Sequence, residues 1–225
     1  MQINIKELIH FYDCDRLAAN HSNALKTLAG EELGFCLLSK YFTESRGATI
    51  AHRLDGPCTP GTKKGQRLDG WFEVQFPNRT QHFQVEIKSW SFHGYGPNGG
   101  SLAHDCSSQE LSAFQIADWA RYWGNGAFRS EKLQKVLLRM TPARKHSHIR
   151  VHSALACLWA PVHPSGKLEP FFKVATKAGS PFSEVWVFSM SNYLRLLLQQ
   201  GRKFLSVDMP ATQARLRHLN QVFQI

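Results

Sequence analysis

Three charged residues of this chain have the types and spacing needed for metal-assisted chemistry. Asp69 begins the run "DGWFEVQF", and Glu86 and Lys88 stand two residues apart in the run "HFQVEIKSW". Two carboxylates held close together repel each other and favour a cation between them. Their oxygen atoms suit Mg²⁺ or Mn²⁺ better than zinc, and a neighbouring lysine can stabilise developing negative charge or orient an attacking water. These residue types therefore predict a hydrolytic site that uses a divalent cation.

Two neighbouring strands are needed to bring the three residues together. The runs 67–76 and 81–90 show apolar alternation typical of strands and are joined by "PNRT". If the loop has an even number of residues, the two residue numbers of every opposed pair add up to the same odd sum. The predicted pairs are Gln75 with His82, Glu73 with Gln84, Trp71 with Glu86, and Asp69 with Lys88.

Alternation along the two strands predicts one apolar face and one polar face. A slip of one residue would turn one strand over, and the uniform apolar face argues against such a slip. The simpler alternative is that the three charges form a solvated set of cross-strand ion pairs without a catalytic role. The predicted apolar face comprises Phe72, Val74, Phe76, Phe83, Val85 and Ile87. The predicted polar face comprises Asp69, Trp71, Glu73, Gln75, His82, Gln84, Glu86 and Lys88.

The rest of the sequence predicts the elements around this hairpin. Residues 22–42 form an amphipathic helix in the prediction, with Ser22 as its N-cap. Further helices are predicted at 107–123, 191–200 and 211–225, and further strands at 48–54, 152–162 and 183–190. This order favours an α/β fold around a mixed central sheet. A single domain over residues 1–225 is expected, because the chain shows no linker, internal repeat or low-complexity tract.

Charge and composition narrow the classes of function. Lys and Arg number 27 against 17 Asp and Glu, a formal net charge of +10, which favours a polyanionic partner such as nucleic acid. The five cysteines include no C-x-x-C pair, which argues against a zinc ribbon or a disulfide framework. No signal peptide or apolar run of membrane-spanning length is evident, so a cytoplasmic protein without membrane attachment is predicted. Motifs of P-loop, serine or zinc hydrolases are absent from the sequence.

The charged motifs together resemble those of the PD-(D/E)xK phosphodiesterase superfamily. "AGEELG", "RLDGWFEV" and "HFQVEIKSW" follow in the order of the superfamily's helix glutamate, strand aspartate and Glu-x-Lys strand. The resemblance covers about residues 24–123, and Leu68 stands where the pattern often has proline. It implies a restriction-endonuclease-like fold, in which helices flank a mixed central sheet.

The resemblance also implies roles for individual residues. Asp69 and Glu86 would ligate Mg²⁺ or Mn²⁺ together with the backbone carbonyl of Ile87. Lys88 would position or activate the attacking water and stabilise the phosphate in the transition state.

Two further contributions to the site are implied, each with an open alternative. The helix glutamate is Glu31 or Glu32, with Glu31 slightly favoured because it follows Gly30 in a "GE" form of the motif. In some branches a later helix offers a glutamine to the site, which would be Gln115 here. Gln115 could equally only flank the core, and either glutamate could be a solvated helix residue.

The expected function is a metal-dependent endonuclease acting on DNA, or on RNA, with a role in restriction or anti-phage defence. The alternative is a non-cleaving basic subunit that binds nucleic acid or serves in assembly. Nucleic acid is the expected partner; a homodimer or a partner protein acting as trigger is also compatible with the sequence. The candidate nucleic-acid contacts are Lys63, Lys64, Trp90, Tyr95, Arg144, Lys145 and Arg150.

Overall fold

The computed structural model describes residues 1–13, 18–54, 69–88, 151–157, 169–175 and 183–223. The strands in these ranges are β1 Gln2–Asn4, β2 Ile50–Leu54, β3 Gly70–Phe76, β4 Arg79–Lys88, β5 Val151–Cys157, β6 Phe171–Ala175, β7 Glu184–Ser189 and β8 Phe204–Ser206. The helices are α1 Ile5–Asp13, α2 Ala18–Lys40, α3 Met190–Gln199 and α4 Pro210–Phe223, and a π-helical turn, Tyr41–Ser45, follows α2 directly.

Six of the described strands form one mixed sheet in the order β2-β3-β4-β5-β7-β6. The central strands β4, β5 and β7 are parallel to one another. The outer pairs β2–β3, β3–β4 and β6–β7 are antiparallel. The two remaining strands, β1 and β8, pair antiparallel in a separate small sheet. This arrangement confirms the α/β class and the mixed sheet predicted from the sequence.

The core lies between α2 and the apolar face of the β3–β4 hairpin. Phe72, Val74, Phe83 and Val85 are each no more than 1% exposed, because alternate residues of both strands point towards the helix. Glycine at position 34 allows α2 to approach closely, since a Cβ atom there would lie 2.9 Å from Cδ1 of Ile87. The predicted apolar face is therefore confirmed, with Phe76 half-buried at its end.

The boundaries of several elements differ from the predictions. Helix α2 begins at Ala18, so Ser22 lies inside the helix and the predicted N-cap is wrong. Strand β4 begins at Arg79, two residues before the predicted run, and β3 begins at Gly70; residues 67–68 and 89–90 of the predicted runs lie outside the described residues. Strands β1, β6 and β8 and helix α1 were not predicted, because they are short or lack a strong periodic pattern.

Helix α3 shows start and stop signals that are readable in sequence. The Ser189 hydroxyl accepts a hydrogen bond of 3.2 Å from the backbone N–H of Asn192, which satisfies one free amide of the first turn. The helix ends before Gly201, whose φ of +80° lies in the left-handed region that glycine adopts without strain. The predicted end at Gly201 is thus confirmed. None of the helices in the described ranges combines the length and the apolar character needed to span a bilayer.

Candidate active site at the ends of strands β3 and β4

The β3–β4 hairpin brings the candidate carboxylates together in a register that differs from the prediction. Its turn consists of Pro77 and Asn78 alone, so its centre lies one residue before the predicted centre between Asn78 and Arg79, and every pairing shifts by two residues. The observed pairs are Trp71 with Gln84, Glu73 with His82 and Gln75 with Thr80. The predicted pairs of Asp69 with Lys88, Trp71 with Glu86, Glu73 with Gln84 and Gln75 with His82 are therefore wrong by two residues.

A register shift of two residues leaves each side chain on its predicted face. It also brings Asp69, instead of the predicted Trp71, opposite Glu86. The ladder ends at Gly70 opposite Val85, and the same register carried one residue further sets Asp69 opposite Glu86. Directly opposed residues have Cβ atoms about 4.5–5.5 Å apart. The corrected pairing thus favours two carboxylates on neighbouring strands at one end of the hairpin.

The Asp69 carboxylate is attached to strand β4 by a hydrogen bond. Its Oδ2 atom accepts from the backbone N–H of Ile87 at 2.7 Å. This bond takes the place of a backbone ladder bond just where β3 begins. Because a charge-assisted bond of this length restricts the side chain, Asp69 is oriented by the strand that carries Glu86.

The same bond shows which way the backbone of Ile87 faces. In a strand, the N–H and C=O of one residue point towards the same neighbouring strand. Since the N–H of Ile87 meets Asp69, its carbonyl oxygen also faces the β3 side. Asp69, Glu86 and this carbonyl therefore supply oxygen donors at one strand end, a donor set that fits Mg²⁺ or Mn²⁺.

No group of three or more His, Cys, Asp or Glu side chains suited to a metal ion occurs in the parts of the chain that the structure describes. The ligand set implied by the resemblance contains two such side chains, Asp69 and Glu86, and one backbone carbonyl. The helix glutamates do not join these two carboxylates in one group within the described residues.

The face that carries Glu86 is not the open polar surface that the sequence indicates. Trp71 is 2% exposed and Gln84 is 1% exposed, so the sheet is covered on both faces at this point. Further along the same face, Oε2 of Glu73 lies 3.6 Å from Nδ1 of His82. Its Oε1 atom accepts a hydrogen bond of 2.7 Å from the side-chain Nε2 of Gln75. Glu73 thus has structural partners on this face, and Glu86 lies half-buried nearer the strand end.

Glu32 has a structural role at the start of the last helix. Its carboxylate accepts hydrogen bonds from the backbone N–H groups of Ala211 and Thr212, at 2.9 Å and 2.7 Å, and from the Thr212 hydroxyl at 2.6 Å. Burial alone would raise the pKa of Glu32, but these bonds and the nearby Arg215 guanidinium outweigh it and hold the pKa below its ordinary value. Glu32 therefore acts as a cap for α4, supplied by a distant part of the chain.

Glu31 is exposed and lies on a different side of α2 from Glu32. It lies three residues, about one helical turn, before Gly34, the residue that packs against the Ile87 side chain. Glu31 is thus near the β4 end of the helix–sheet contact, whereas Glu32 is directed to α4.

Several predicted site residues lie beyond the described ranges or at their edge. Lys88 is the last residue of β4, and its Cα atom lies opposite that of Cys157. The candidates that fall outside the described residues are Lys63, Lys64, Trp90, Tyr95, Gln115, Arg144, Lys145 and Arg150. The predicted helix 107–123 also falls outside them.

The sequence interpretation overlooked one cation beside the candidate site. The guanidinium of Arg53 on β2 stacks over the Phe35 ring, 4.8 Å from its centroid. Its Nε atom lies 3.0 Å from the position that a Cβ atom on Gly70 would take, directly after Asp69 in the chain. The only sequence signal was the position of Arg53 in the strand preceding the motif.

Comparison with known proteins found no matching protein-family model, no matching curated protein and no matching solved structure.

Proposed function

We propose that the protein is a metal-dependent nuclease of the PD-(D/E)xK type, on a restriction-endonuclease-like fold, that hydrolyses phosphodiester bonds of nucleic acid. DNA is the proposed substrate, with RNA as the alternative. The observation that supports this most is the hydrogen bond of 2.7 Å between the Asp69 carboxylate and the Ile87 amide. It holds one carboxylate at the strand that bears the second, Glu86, in the order and spacing of the motif.

The residues of this site have separate tasks in the proposal. Asp69, Glu86 and the Ile87 carbonyl would hold Mg²⁺ or Mn²⁺, which when bound polarises a phosphate oxygen and makes water a better nucleophile. The Ile87 amide keeps Asp69 in one orientation, which lowers the entropic cost of assembling the site. Lys88 would orient the attacking water and stabilise negative charge on the phosphate.

Glu31 is the helix glutamate that we propose for the site. Glu32 is engaged by the amides of α4 and the Thr212 hydroxyl, and withdrawing it would leave those groups without their acceptor. Glu31 has no such duty within the described residues and stands one turn from the contact with Ile87.

Restriction or anti-phage defence is the setting that we propose for such a nuclease, and it rests on the resemblance alone. A cytoplasmic location is proposed with it. The competing function is a non-cleaving nucleic-acid-binding subunit, which the net charge of +10 would equally suit.

A cleavage assay with matched variants tests the proposal. Plasmid, linear duplex, single-stranded DNA and tRNA are incubated with the purified protein in Mg²⁺, Mn²⁺ or EDTA, beside Asp69→Asn, Glu86→Gln and Lys88→Ala. We expect cleavage that requires the cation and falls at least about 100-fold in each variant, as is typical when a charge-stabilising group is removed. Glu73→Gln removes a carboxylate from strand β3, away from the site, and serves as the control variant, which should keep its cleavage activity.

Two results would count against the nuclease proposal. Cleavage that survives in both Asp69→Asn and Glu86→Gln would show that the site is elsewhere. Binding without cation-dependent cleavage of any substrate would favour the non-cleaving subunit.

A further inference from the structure

Helix α4 turns a polar side away from the helix that anchors it. Thr212 is buried, and its backbone N–H and hydroxyl both donate to the Glu32 carboxylate of α2, so the side that carries Thr212 faces α2. The residues from 214 to 223 are all exposed. At 3.6 residues per turn, Arg217 and Gln221 stand about 140° and 180° around the helix from Thr212. These two side chains therefore point away from α2.

The polar side of α4 combines amides with a guanidinium. Its members recur at the spacings i, i+4, i+7 and i+8, which place them along one stripe. The residues of this polar stripe are Gln213, Arg217, Asn220 and Gln221. Surface helices ordinarily mix acidic and basic residues, whereas residues 210–223 contain two arginines and a histidine but neither Asp nor Glu. Within the described ranges Arg217 forms no ion pair, so the stripe favours an anionic partner.

The opposite side of α4 fixes the helix to α2. In addition to the cap described above, Nη1 of Arg215 donates to the carbonyl oxygen of Leu28 at 2.6 Å. The apolar residues Leu216 and Leu219 follow Thr212 by four and seven positions and so lie on the same side. Because α4 is held by this inner side, its polar stripe is presented in one orientation, which lowers the entropic cost of binding.

Amide and guanidinium groups on one side of a helix match the hydrogen-bonding edges of base pairs. A guanidinium bonds O6 and N7 of guanine with two N–H groups, and an Asn or Gln amide bonds N6 and N7 of adenine. The major groove of duplex DNA is about 12 Å wide and admits an α-helix. From residue 213 to residue 221 the polar stripe extends about 12 Å, the length of about three to four base pairs. Its chemistry and its length therefore fit a short sequence of base pairs.

Helix α2 connects α4 to the candidate site. Glu32 caps α4, and Gly34, two residues further along α2, packs against the Ile87 side chain of β4. The two positions are about 3 Å apart along the helix axis, so α4 begins at the level of the strand end that bears the candidate carboxylates. They lie on opposite sides of α2, which keeps the polar stripe separate from the metal ligands.

We propose that α4 enters the major groove of duplex DNA, where Arg217, Asn220 and Gln221 read base edges. The inference rests on the proposed function in taking DNA as the partner. It adds a sequence preference, which contacts to backbone phosphates at the Asp69–Glu86 site do not supply.

The test selects DNA sequences with the full chain in EDTA, which separates binding from cleavage. A duplex library with about ten random base pairs is incubated with the protein, and the bound fraction is sequenced. We expect the wild type to enrich a motif of about three to four base pairs that includes guanine and adenine. Fluorescence anisotropy on the selected duplex and its single-base-pair variants then measures the discrimination at each position.

Substitutions in the polar stripe should each relax the preference at one base pair. Asn220→Ala and Gln221→Ala remove no charge and favour the helix, so a loss of discrimination of about 5- to 150-fold at one position reports a lost base contact. Arg217→Lys keeps the charge without the paired donors, and it should lose discrimination while it retains the salt dependence of binding. Gln199→Ala is the matched control, because Gln199 is an exposed glutamine of α3. We expect this control to keep the wild-type preference.

Each outcome decides the inference. A wild type without sequence preference, or a preference that all three stripe variants retain, would overturn base reading by α4 and leave the nuclease proposal intact. A motif that depends on the stripe, together with no cation-dependent cleavage of the selected duplex, would support base reading and refute hydrolysis. Tighter binding of tRNA or single-stranded DNA than of any duplex would overturn the assignment to the major groove. A wild type that binds no nucleic acid would refute both proposals.

Discussion

Replacement of Glu32 by alanine should destabilise the protein through a helix to which Glu32 does not belong. The carboxylate accepts two backbone amides and one hydroxyl at the start of α4. Loss of a helix cap costs about 1 kcal/mol, and the lost attraction between the charge and the helix dipole adds about 0.3–1 kcal/mol. Since Glu32 is only half-buried, solvent screening reduces the electrostatic part, and we expect a total of about 1.5 kcal/mol. Alanine is the best helix former, so α2 itself should not be weakened.

The expected loss of stability is large enough to be measured by thermal unfolding, followed by calorimetry or circular dichroism. For a chain of 225 residues, about 1.5 kcal/mol corresponds to a decrease in Tm of about 3–6 °C. Glu31→Ala on the exposed side of the same helix is the control, and its Tm should change by less than about 1 °C. In the cleavage assay, by contrast, Glu31→Ala should lose more activity than Glu32→Ala.

The dependence on pH provides a second measurement of the same contact. Because the folded-state pKa of Glu32 lies below its ordinary value, the cap contributes fully at neutral pH and is lost as pH falls through the folded pKa. The difference in stability between wild type and Glu32→Ala should therefore shrink between about pH 5 and pH 3. Equal Tm values for the two proteins at pH 7, or a difference that is constant down to pH 3, would refute the capping role.

Two more perturbations test the packing around the hairpin and the aromatic core. Gly70→Ala would place a Cβ atom in steric overlap with Cζ of Phe35, so we expect the free energy of unfolding measured in urea to fall by about 1–3 kcal/mol. The additional change Phe35→Leu should restore part of it, and an unchanged free energy of unfolding in Gly70→Ala would contradict the close contact. Burial, followed by the nearby Glu44 carboxylate, raises the pKa of Tyr193 from 10.0 to about 12. The folded state therefore holds the phenolic proton more tightly, and stability should fall as pH rises from 10 towards 12. Tyr193→Phe should reduce this alkaline loss, and an identical loss in both proteins would show that Tyr193 is not its source.

The hairpin shows what apolar alternation can and cannot predict. Alternation has a period of two, so any shift of the register by two residues leaves both faces unchanged. The apolar face was therefore predicted correctly although every predicted pair was wrong. The register depended on the turn, and Pro77 contained the signal, because proline favours the first central position of a turn.

The helix glutamates show a second limit. Glu31 and Glu32 are adjacent, and local pattern could not distinguish them, because Glu31 follows glycine in a "GE" form of the motif while Glu32 borders the inward stripe of α2. The contact that separates them involves Thr212, 180 residues later in the chain. Arg53 was overlooked for the same reason: its relevance depends on Phe35 and Gly70, which come near it only when the sheet forms.

The hydrogen bond from the Ile87 amide to Asp69 makes one backbone proton a spectroscopic reporter of the candidate site. Most amides of a central strand bond to carbonyl groups, which do not titrate, whereas this amide bonds to a carboxylate. Its chemical shift and its exchange with solvent will therefore follow the charge of Asp69. Protonation of the carboxylate, or its engagement by a cation, becomes visible in a single nuclear magnetic resonance signal of the unmodified protein.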